Sequence, residues 1–319
     1  MTPQTIQIGG MLFRHPLIVN AGGTLKDWDN LPGFLSTKLQ IILFGAALEQ
    51  VRAGNEGGIP KTLFVQWIAS GSVKLSYNRM GLPEKYGLEW YEQHLEEKNQ
   101  LVAEHGKMLA MNIAGFSLNE FVRLAKSCRR AGVQLIFADI SCANTSQEPH
   151  CFNPKATAEI IRAVQNAAPD ATIGVKLPYI PLPSLLKELV DVCRETKVGI
   201  IEVINAMGQY YPINEYGTRR LGGPASGGGF LAKDPAQGMV VRVRDLLEEN
   251  PAIHIMATGG IGCGPNRPGQ DILDLELLGA TIFGTHTAAR STEYPYNIVP
   301  KVFDEIPEDY LRLRKKMQG

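Results

Sequence analysis

A thiol, a hydroxyl, an amide and a carboxylate stand close together at positions 138–144, which read Ala-Asp-Ile-Ser-Cys-Ala-Asn. Cys142 can act as a general acid or base, because thiols titrate near pH ~8.5 and can be tuned lower. The alternative is a small buried hydrophobe, the commonest role of a free cysteine. The largely apolar run Val133–Phe137 before it predicts a buried strand. Chemistry at the C-terminal tip of a strand is typical of a β/α barrel, whose active sites lie on that face.

Lys176 stands inside a second apolar run, Ile173–Pro178. Burying a lysine is costly unless its ammonium meets a negative partner. At the top of a barrel this partner could be an electron-rich cofactor atom or a substrate anion. A solvated lysine at a strand end would have more polar neighbours, so we predict a functional role for Lys176.

Glycines follow the last two apolar runs, in Thr258-Gly259-Gly260-Ile261 and in Gly284-Thr285. The loops after strands seven and eight of many barrels bind phosphate through backbone N–H groups and a helix N-terminus. Glycine permits the close backbone approach that an anion needs. A tight turn would explain one such glycine pair, whereas glycines at two consecutive strand ends predict a phosphate site.

Asparagines recur at or near strand ends and in the segment 78–83. An amide offers one acceptor and two donors, which suits a flat ring with imide and amide edges. Each asparagine alone would be interpreted as a turn or capping residue. Together they predict recognition of a pyrimidine or an isoalloxazine. The set is Asn20, Asn78, Asn112, Asn144 and Asn205.

Metal and disulfide chemistry find little support. The 5 cysteines are scattered without a C-x-x-C pair, which indicates free thiols in a reducing compartment. No His/Cys/Glu cluster has ligand spacing, so no metal is expected. His150, His254 and His286 lack paired carboxylates in the sequence, and we expect structural roles for them.

Charge and hydropathy narrow the class of partner. Lys+Arg and Asp+Glu both total 32, so nothing indicates a nucleic acid or an anionic membrane as a partner. The longest apolar runs, such as Ile41–Leu48, fall short of the ~20 residues of a membrane span. No signal peptide is recognisable. We expect a soluble, cytoplasmic protein that binds a small molecule.

The elements that must carry these residues alternate regularly. Helical spacing appears at 118–125 behind a Ser117/Glu120 capping box, and at Ala156–Ala167, Leu182–Thr196 and Gln237–Glu249. The apolar runs between helices are nearly continuous, as in parallel strands covered on both faces. They are Leu17–Ala21, Ile41–Leu48, Met108–Ala114, Val133–Ile140, Thr172–Leu177, Gly199–Asn205, Ile253–Ala257 and Ala280–Phe283.

This alternation predicts an α/β protein, with a single (β/α)8 TIM barrel over residues 1–319 and no second domain. Two connections are too long for simple barrel turns. They are Glu49–Lys107 after strand two and Ala206–Ala252 after strand six. Long structured loops in a compact domain usually carry function, so we expect both to contribute to the site.

In order and spacing, several motifs resemble those of the dihydroorotate dehydrogenase family, and most closely its soluble class 1 members. The resemblance runs from about Ile8 to Ala289. The motifs are Asn20-Ala21-Gly22, Asn78-x-Met80-Gly81-Leu82-Pro83, Asn112-Ile113-Ala114-Gly115, Ser141-Cys142-x-Asn144, Gly174-Val175-Lys176-Leu177-Pro178, Asn205, Gly227-Gly228, Thr258-Gly259-Gly260-Ile261 and Gly279-Ala280-Thr281 with Gly284-Thr285.

The resemblance implies an FMN-bearing barrel that oxidises a dihydropyrimidine. Cys142 matches the family base that takes a proton from substrate C5 while hydride passes from C6 to flavin N5. Lys176 matches the lysine at the flavin's pyrimidine edge. The implied cofactor residues are Ala21, Gly22, Asn112, Asp139, Lys176, Ile204, Gly228, Gly259, Gly260, Gly284 and Thr285. The implied substrate residues are Asn78, Met80, Gly81, Leu82, Asn144, Asn205 and Ala206. Class 1 members are typically cytosolic homodimers that use fumarate or, with an iron–sulfur flavoprotein partner, NAD.

Departures from the family pattern fall on substrate recognition. Phe44 takes the place of a lysine that contacts flavin and substrate carboxylate, and Asp139 takes the place of an asparagine. Ala206 and Ala143 replace a small hydroxyl residue and a proline. One charge at ~4 Å and an effective dielectric near 20 is worth roughly 4 kcal/mol, enough to change substrate preference.

The leading hypothesis is oxidation of dihydroorotate to orotate in pyrimidine biosynthesis. One rival is a family paralogue that acts on a ring without a carboxylate. Another is a flavin- or phosphate-binding barrel that has lost catalysis. A barrel lyase or isomerase without flavin is less favoured, because it does not explain the asparagines.

Overall fold

A computed structural model of the chain describes residues 5–21, 24–55, 63–141, 148–213, 218–221, 223–248, 252–293 and 297–318. An antiparallel hairpin, β1 (Thr5–Ile8) and β2 (Met11–Arg14), comes first. Its apolar side chains pack with barrel-interior residues such as Leu17 and Leu135. The main-chain N–H of Gly9 donates to Thr172 Oγ1 at the start of a barrel strand. The hairpin therefore covers the N-terminal end of the barrel.

Parallel strands form a closed barrel in chain order, and the last strand pairs with the first. The predicted α/β fold and TIM barrel are confirmed. Each apolar run that predicts a strand contributes one barrel strand. The barrel strands are β3 (Leu17–Asn20), β4 (Ile41–Ala47), β7 (Met108–Ile113), β8 (Leu135–Asp139), β9 (Thr172–Leu177), β10 (Ile200–Val203), β13 (His254–Thr258) and β14 (Ile282–Thr285).

The barrel strands read as continuous apolar runs because both of their faces are covered. In β4, Ile41 and Leu43 face the barrel interior, whereas Ile42 and Phe44 join the larger cluster beneath the helices. The Phe44 ring stacks on Trp28, with centroids 3.8 Å apart. Phe44 thus points away from the barrel interior, and its ring lies beneath the helices rather than in the mouth of the barrel.

Helices surround the strands, and their starts follow capping chemistry. Ser117 Oγ accepts from the N–H of Glu120 at 3.4 Å, as the capping box predicts. The helix predicted at Gln237 begins at Lys233 instead, because Pro235 is tolerated in a first turn whose N–H groups need no intrahelical partner. The helices are α1 (Leu31–Leu35), α2 (Leu88–Glu104), α3 (Leu118–Arg130), α4 (Pro154–Ala167), α5 (Pro183–Glu195), α6 (Lys233–Leu247), α7 (Pro268–Leu277) and α8 (Val302–Gln318).

The two long connections meet in one antiparallel sheet, which sequence analysis did not predict. The first supplies β5 (Leu63–Ile68) and β6 (Val73–Asn78), and the second supplies β11 (Met207–Tyr210) and β12 (Ala225–Gly229). The strand order is β11-β12-β6-β5, with β12 pairing β6 across the two connections. The glycine-rich β12 carries almost no hydrophobic alternation, so only its pairing reveals it as a strand.

In the described part of the chain, none of the helices has both the length and the apolar character required to span a membrane.

Candidate active site

A cavity of about 450 Å³ lies between the C-terminal ends of the barrel strands and the four-stranded sheet. Small-molecule sites usually measure roughly 300–1,000 Å³. The predicted site residues that line it are Ala21, Asn78, Met80, Gly81, Leu82, Asn112, Asp139, Lys176, Ile204, Asn205, Ala206, Gly228, Gly259, Gly260, Gly284 and Thr285. Gly22, Cys142 and Asn144 lie outside the described residues. The prediction of a base at Cys142 therefore stays a prediction.

Lys176 sits on the cavity floor between two carboxylates. Its Nζ lies 3.7 Å from Asp139 Oδ2 and 3.7 Å from Glu202 Oε1. The strand register explains this, since Lys176 is paired with Asp139 across β8–β9 and with Glu202 across β9–β10. The exposed fractions of the three residues are 2%, 6% and 1%. The floor is thus a buried charge cluster that three adjacent strands present at one level.

Burial and charge act in opposite directions on Glu202. Removal from water raises the pKa of the Glu202 carboxyl, and the nearby Lys176 ammonium opposes that rise. The Oε2 atom of Glu202 has no hydrogen-bond partner among the described residues. A buried carboxylate oxygen without a partner is costly, so this atom is suited to meet a ligand in the cavity.

Polar side chains beside the floor form a connected network. Asp139 Oδ1 accepts from the Ser141 N–H (3.2 Å) and hydroxyl (2.9 Å), and its Oδ2 accepts from Asn112 Nδ2 (3.3 Å). Asn205 Nδ2 donates to Ser141 Oγ at 2.9 Å. Asn112 Oδ1 is left without a partner in the described structure, although its residue is only 1% exposed. It therefore offers the cavity an acceptor for a ring N–H, as the asparagine pattern predicts.

Main-chain groups build the opposite end of the cavity. Gly259 and Gly260 follow β13 with φ of 116° and 85°, which side-chain-bearing residues rarely adopt. A Cβ on Gly260 would lie 2.5 Å from Lys233 Cβ, so this turn packs against the first turn of α6. The α6 N-cap, Ala232, lines the cavity and supplies no side-chain cap. The Lys233 N–H donates to Phe230 O and Pro235 has no N–H, so the attraction for an anion comes from the helix dipole and the glycine turn. This end is therefore suited to a phosphate.

Packing inside the barrel requires a glycine at position 284. A Cβ there would lie 2.4 Å from Thr258 Cγ2 and 2.7 Å from Met256 Cε, inside the barrel. Gly284 lies within β14, so packing inside the barrel rather than a tight turn explains this glycine. The neighbouring Thr285 lines the cavity, and its hydroxyl donates to Ile261 O at 3.1 Å.

Three charged residues of the cavity were not predicted from the sequence: Lys26, Arg290 and Glu202. Lys26 Nζ donates to Pro83 O at 2.6 Å, beside the loop that follows Asn78. Arg290 Nε donates to His286 Nε2 at 2.8 Å. Lys26 and Arg290 lie in loops with no local pattern. Glu202, a charge inside an apolar strand, could have been found by the reasoning applied to Lys176.

His286 lines the cavity as a neutral imidazole. Burial, and secondly the Arg290 charge, lower the pKa of His286 well below its usual range. Because its Nε2 accepts from Arg290, its proton lies on Nδ1, which faces Ala21 O at 3.1 Å. The histidine therefore orients the guanidinium.

Several sequence candidates lie elsewhere. Asn20 does not line the cavity, because its amide bridges β3 and β4: Nδ2 donates to Leu43 O (2.6 Å) and Oδ1 accepts from Leu43 N–H (2.8 Å). His150 and His254 contact Gly115 O and Thr281 Oγ1, away from the cavity. Among the described residues, no group of three or more His, Cys, Asp or Glu side chains could hold a metal ion.

Fold and site together define a (β/α)8 barrel whose cavity suits a phosphorylated, ring-bearing ligand. A family model described as dihydroorotate dehydrogenase matches residues 4–310. The chain therefore belongs to the dihydroorotate dehydrogenase family, a group of flavin-dependent dehydrogenases that act on CH–CH bonds.

Curated relatives are distant. The catalytic subunit of dihydroorotate dehydrogenase B (NAD(+)) from Alkaliphilus oremlandii is 22% identical over 291 residues, covering 89% of this chain and 86% of the relative. The same subunit from Anoxybacillus flavithermus is 24% identical over 223 residues, 67% of this chain, and the match spans only 65% of that relative. A probable dihydroorotate dehydrogenase A (fumarate) from Enterococcus faecalis is 23% identical, covering 76% of this chain and 72% of the relative.

Among solved structures, the chain is similar to dihydroorotate dehydrogenase of Eimeria tenella in complex with ferulenol. The TM-score is 0.79 at 17% identity, covering 98% of this chain and 85% of that one. This likeness concerns the fold.

Proposed function

We propose that the protein is an FMN-dependent dehydrogenase that oxidises dihydroorotate to orotate in pyrimidine biosynthesis. The proposal rests on one observation: a single cavity has a glycine turn and the N-cap of α6 at one end. At its other end are a buried lysine and an amide oxygen without a hydrogen-bond partner among the described residues. The first end suits a phosphate and the second suits the polar edge of a ring.

The described residues fit FMN at both ends. The Gly259–Gly260 turn and the first turn of α6 would hold the phosphate. Asn112 Oδ1 would accept from the ring imide, and Lys176 would face the pyrimidine edge, where negative charge is stabilised by a cation. FMN, when bound, supplies the acceptor for a hydride.

Substrate would lie under the Met80–Leu82 loop. Asn78 Oδ1 accepts from the Met80 N–H at 2.8 Å, which fixes this loop at the end of β6. Leu82 has a φ of 56°, so the loop turns sharply over the cavity. We infer that Asn78, Asn144 and Asn205 orient the ring and that Cys142 removes the C5 proton.

A second candidate is a dihydropyrimidine without a carboxylate. The observation that favours it is the floor cluster, where Asp139 and Glu202 together outnumber Lys176 in formal charge. A substrate carboxylate would then need a cation outside the floor cluster. We infer that Lys26, which lines the cavity beside the Met80–Leu82 loop, provides this cation.

Anaerobic mixing of the FMN-loaded protein with substrate decides between the candidates. Dihydroorotate should bleach the flavin, and dihydrouracil should do so far more slowly. The reverse order would support the second candidate. A protein that binds no FMN would contradict both.

Cys142→Ala tests the proposed base. We expect flavin reduction by dihydroorotate to slow by about 10²–10⁴-fold, the usual contribution of a positioned acid or base, while FMN stays bound. Cys263→Ala is the control, because burial raises the pKa of that cavity thiol to about 12 and makes it a poor base. An unchanged rate in Cys142→Ala would assign the thiol a structural role.

The natural electron acceptor, the compartment and the assembly are also proposals. The relatives named above carry NAD(+) or fumarate in their names. We infer a cytoplasmic homodimer that reduces one of these two acceptors. Reoxidation of the reduced protein by fumarate, and light scattering of the purified chain, test the acceptor and the assembly.

A further inference from the structure

Glu202 is a buried acid whose two carboxyl oxygens differ: one lies near Lys176, and the other has no hydrogen-bond partner among the described residues. Its Oε1 lies 3.7 Å from Lys176 Nζ and 3.5 Å from the hydroxyl of Thr258, which donates its proton to Ile204 O at 2.6 Å. Its Oε2 has no hydrogen-bond partner among the described residues, and the residue lines the cavity while only 1% exposed. A buried polar atom without a hydrogen-bond partner lowers stability, so its presence indicates a role when a ligand fills the cavity.

The floor cluster leaves one charge uncompensated. Lys176 brings one positive charge, while Asp139 and Glu202 bring two carboxyl groups, all three nearly excluded from water. Asp139 accepts three hydrogen bonds, one from Asn112 and two from Ser141. Glu202 has far fewer donors, and burial raises its pKa. Of the two carboxyl groups, Glu202 is therefore the one with an oxygen that lacks a hydrogen-bond partner among the described residues.

We propose that Glu202 is a positioning residue that, with Asp139, holds the Lys176 ammonium and sets the reduction potential of FMN through the charge on its own carboxyl group. The inference rests on FMN binding in the proposed function. When Glu202 is ionised, a buried negative charge beside the ring edge opposes the addition of electrons. When Glu202 is protonated, this opposition disappears.

Under this proposal, Glu202 changes its charge with pH while the groups that face it keep theirs. Lys176 faces it from β9 and Asp139 from β8, while β13 presents the Thr258 hydroxyl, which does not titrate in this range. Across the cavity, His286 is kept neutral by burial, and Arg290 stays charged although burial lowers its pKa to about 10.

The test compares reduction potentials of FMN bound to the wild type and to Glu202→Gln, measured spectroelectrochemically across the pH range in which both proteins stay folded and retain FMN. The two potentials should agree at the acid end. Toward the alkaline end the wild-type potential should fall below that of Glu202→Gln. The expected gap is at least tenfold in the reduction equilibrium, which is about 30 mV for a two-electron couple.

Two further variants control the comparison. Glu202→Asp keeps the charge and should retain a pH-dependent gap from Glu202→Gln. Glu276→Gln removes a carboxylate from a pocket apart from this cavity, where it pairs with Arg314, and should match the wild type at every pH. If Glu202→Gln does not fold, Glu202→Ala removes the same carboxyl group and should show the same pH-dependent gap from the wild type.

Each outcome is decisive. A gap that is absent, or equal at every pH, while FMN remains bound would overturn the role of Glu202 and leave the proposed function standing. Failure of the wild type to bind FMN would overturn both.

Discussion

The two ends of the cavity offer a ligand different kinds of group. One end presents main-chain N–H groups, and the other presents ionisable side chains. At the β13 end, the main chain of Gly259–Gly260 and the N-cap of α6 line the cavity. At the β8–β10 end, the side chains of Asp139, Lys176 and Glu202 do so. The first end depends on backbone conformation, and its positive field comes from N–H dipoles. The second depends on three ionisable groups that compensate one another.

This difference determines how each end should respond to substitution. Change at the main-chain end should be local, because the dipoles of a helix do not depend on one side chain. Change at the side-chain end should be coupled, because removing one charge leaves its partners buried and uncompensated.

Lys176→Met should have the largest effect. It leaves two carboxyl groups buried without their cation, so we expect the free energy of unfolding to fall by about 3–5 kcal/mol. Flavin reduction should slow by about 10²–10³-fold, since a preorganised donor is lost. Denaturant unfolding and stopped-flow reduction measure the two effects.

Coupling at this end is tested by a second substitution. Adding Glu202→Gln to Lys176→Met should restore part of the lost stability, whereas two independent sites would show additive losses. Lys187→Met, at an exposed ion pair with Asp191, should change stability by less than about 1 kcal/mol.

Gly260→Ala should weaken FMN binding while leaving the floor cluster intact. The new Cβ would meet Lys233 Cβ at 2.5 Å and would sit at a φ of 85°, so the turn must move. We expect at least a tenfold rise in the Kd of FMN, measured by fluorescence titration. Gly10→Ala is the matched control, with a φ of 78° but open space around its Cβ. Equal Kd values for the two variants would show that the turn does not bind the phosphate.

Lys26→Met should change substrate recognition alone. We expect the KM for dihydroorotate to rise about fivefold, matching the ~1 kcal/mol of a partly exposed ion pair, with little change in the maximal rate. Steady-state kinetics with dihydrouracil provide the control, because that ring has no carboxylate. A parallel rise for both substrates would indicate loss of loop packing at Pro83 instead.

Acid sensitivity should show the smallest effect. The pKa of His286 is lowered by burial, so the unfolded chain binds its proton more readily, and stability present above about pH 6.5 is lost as the pH falls. His286→Gln should therefore lose less stability than the wild type between neutral and mildly acidic pH. Urea unfolding at both pH values measures this, with His105→Gln at an exposed site as control. Identical slopes for His286→Gln and wild type would contradict the assignment.

Much of the site was predictable because local chemistry marked it. A lysine in an apolar strand, paired glycines after consecutive strands and a loop rich in turn residues are all visible in a window of a few residues. Glu202 obeyed the same rule as Lys176 and was predictable in principle. Asn20 carried the same signal as Asn112, yet its amide is used in pairing β3 with β4.

Other features had no local signal. Lys26 reaches the cavity because Leu25 bridges Phe44, which aligns the loop after β3 with the end of β4. Phe44 faces the helices because strand alternation turns it away from the interior. The four-stranded sheet joins segments about 150 residues apart along the chain. No pattern in either segment specifies that partner.

By itself, the sequence determined the barrel, the order of its strands and the residue types at their ends, because periodicity and turn chemistry act over short distances. Tertiary structure alone decided that Asp139, Lys176 and Glu202 stand at one level on adjacent strands, and that two distant loops roof the cavity. The physical reason is register: closure of the barrel sets which residues face each other, and that depends on all eight strands together.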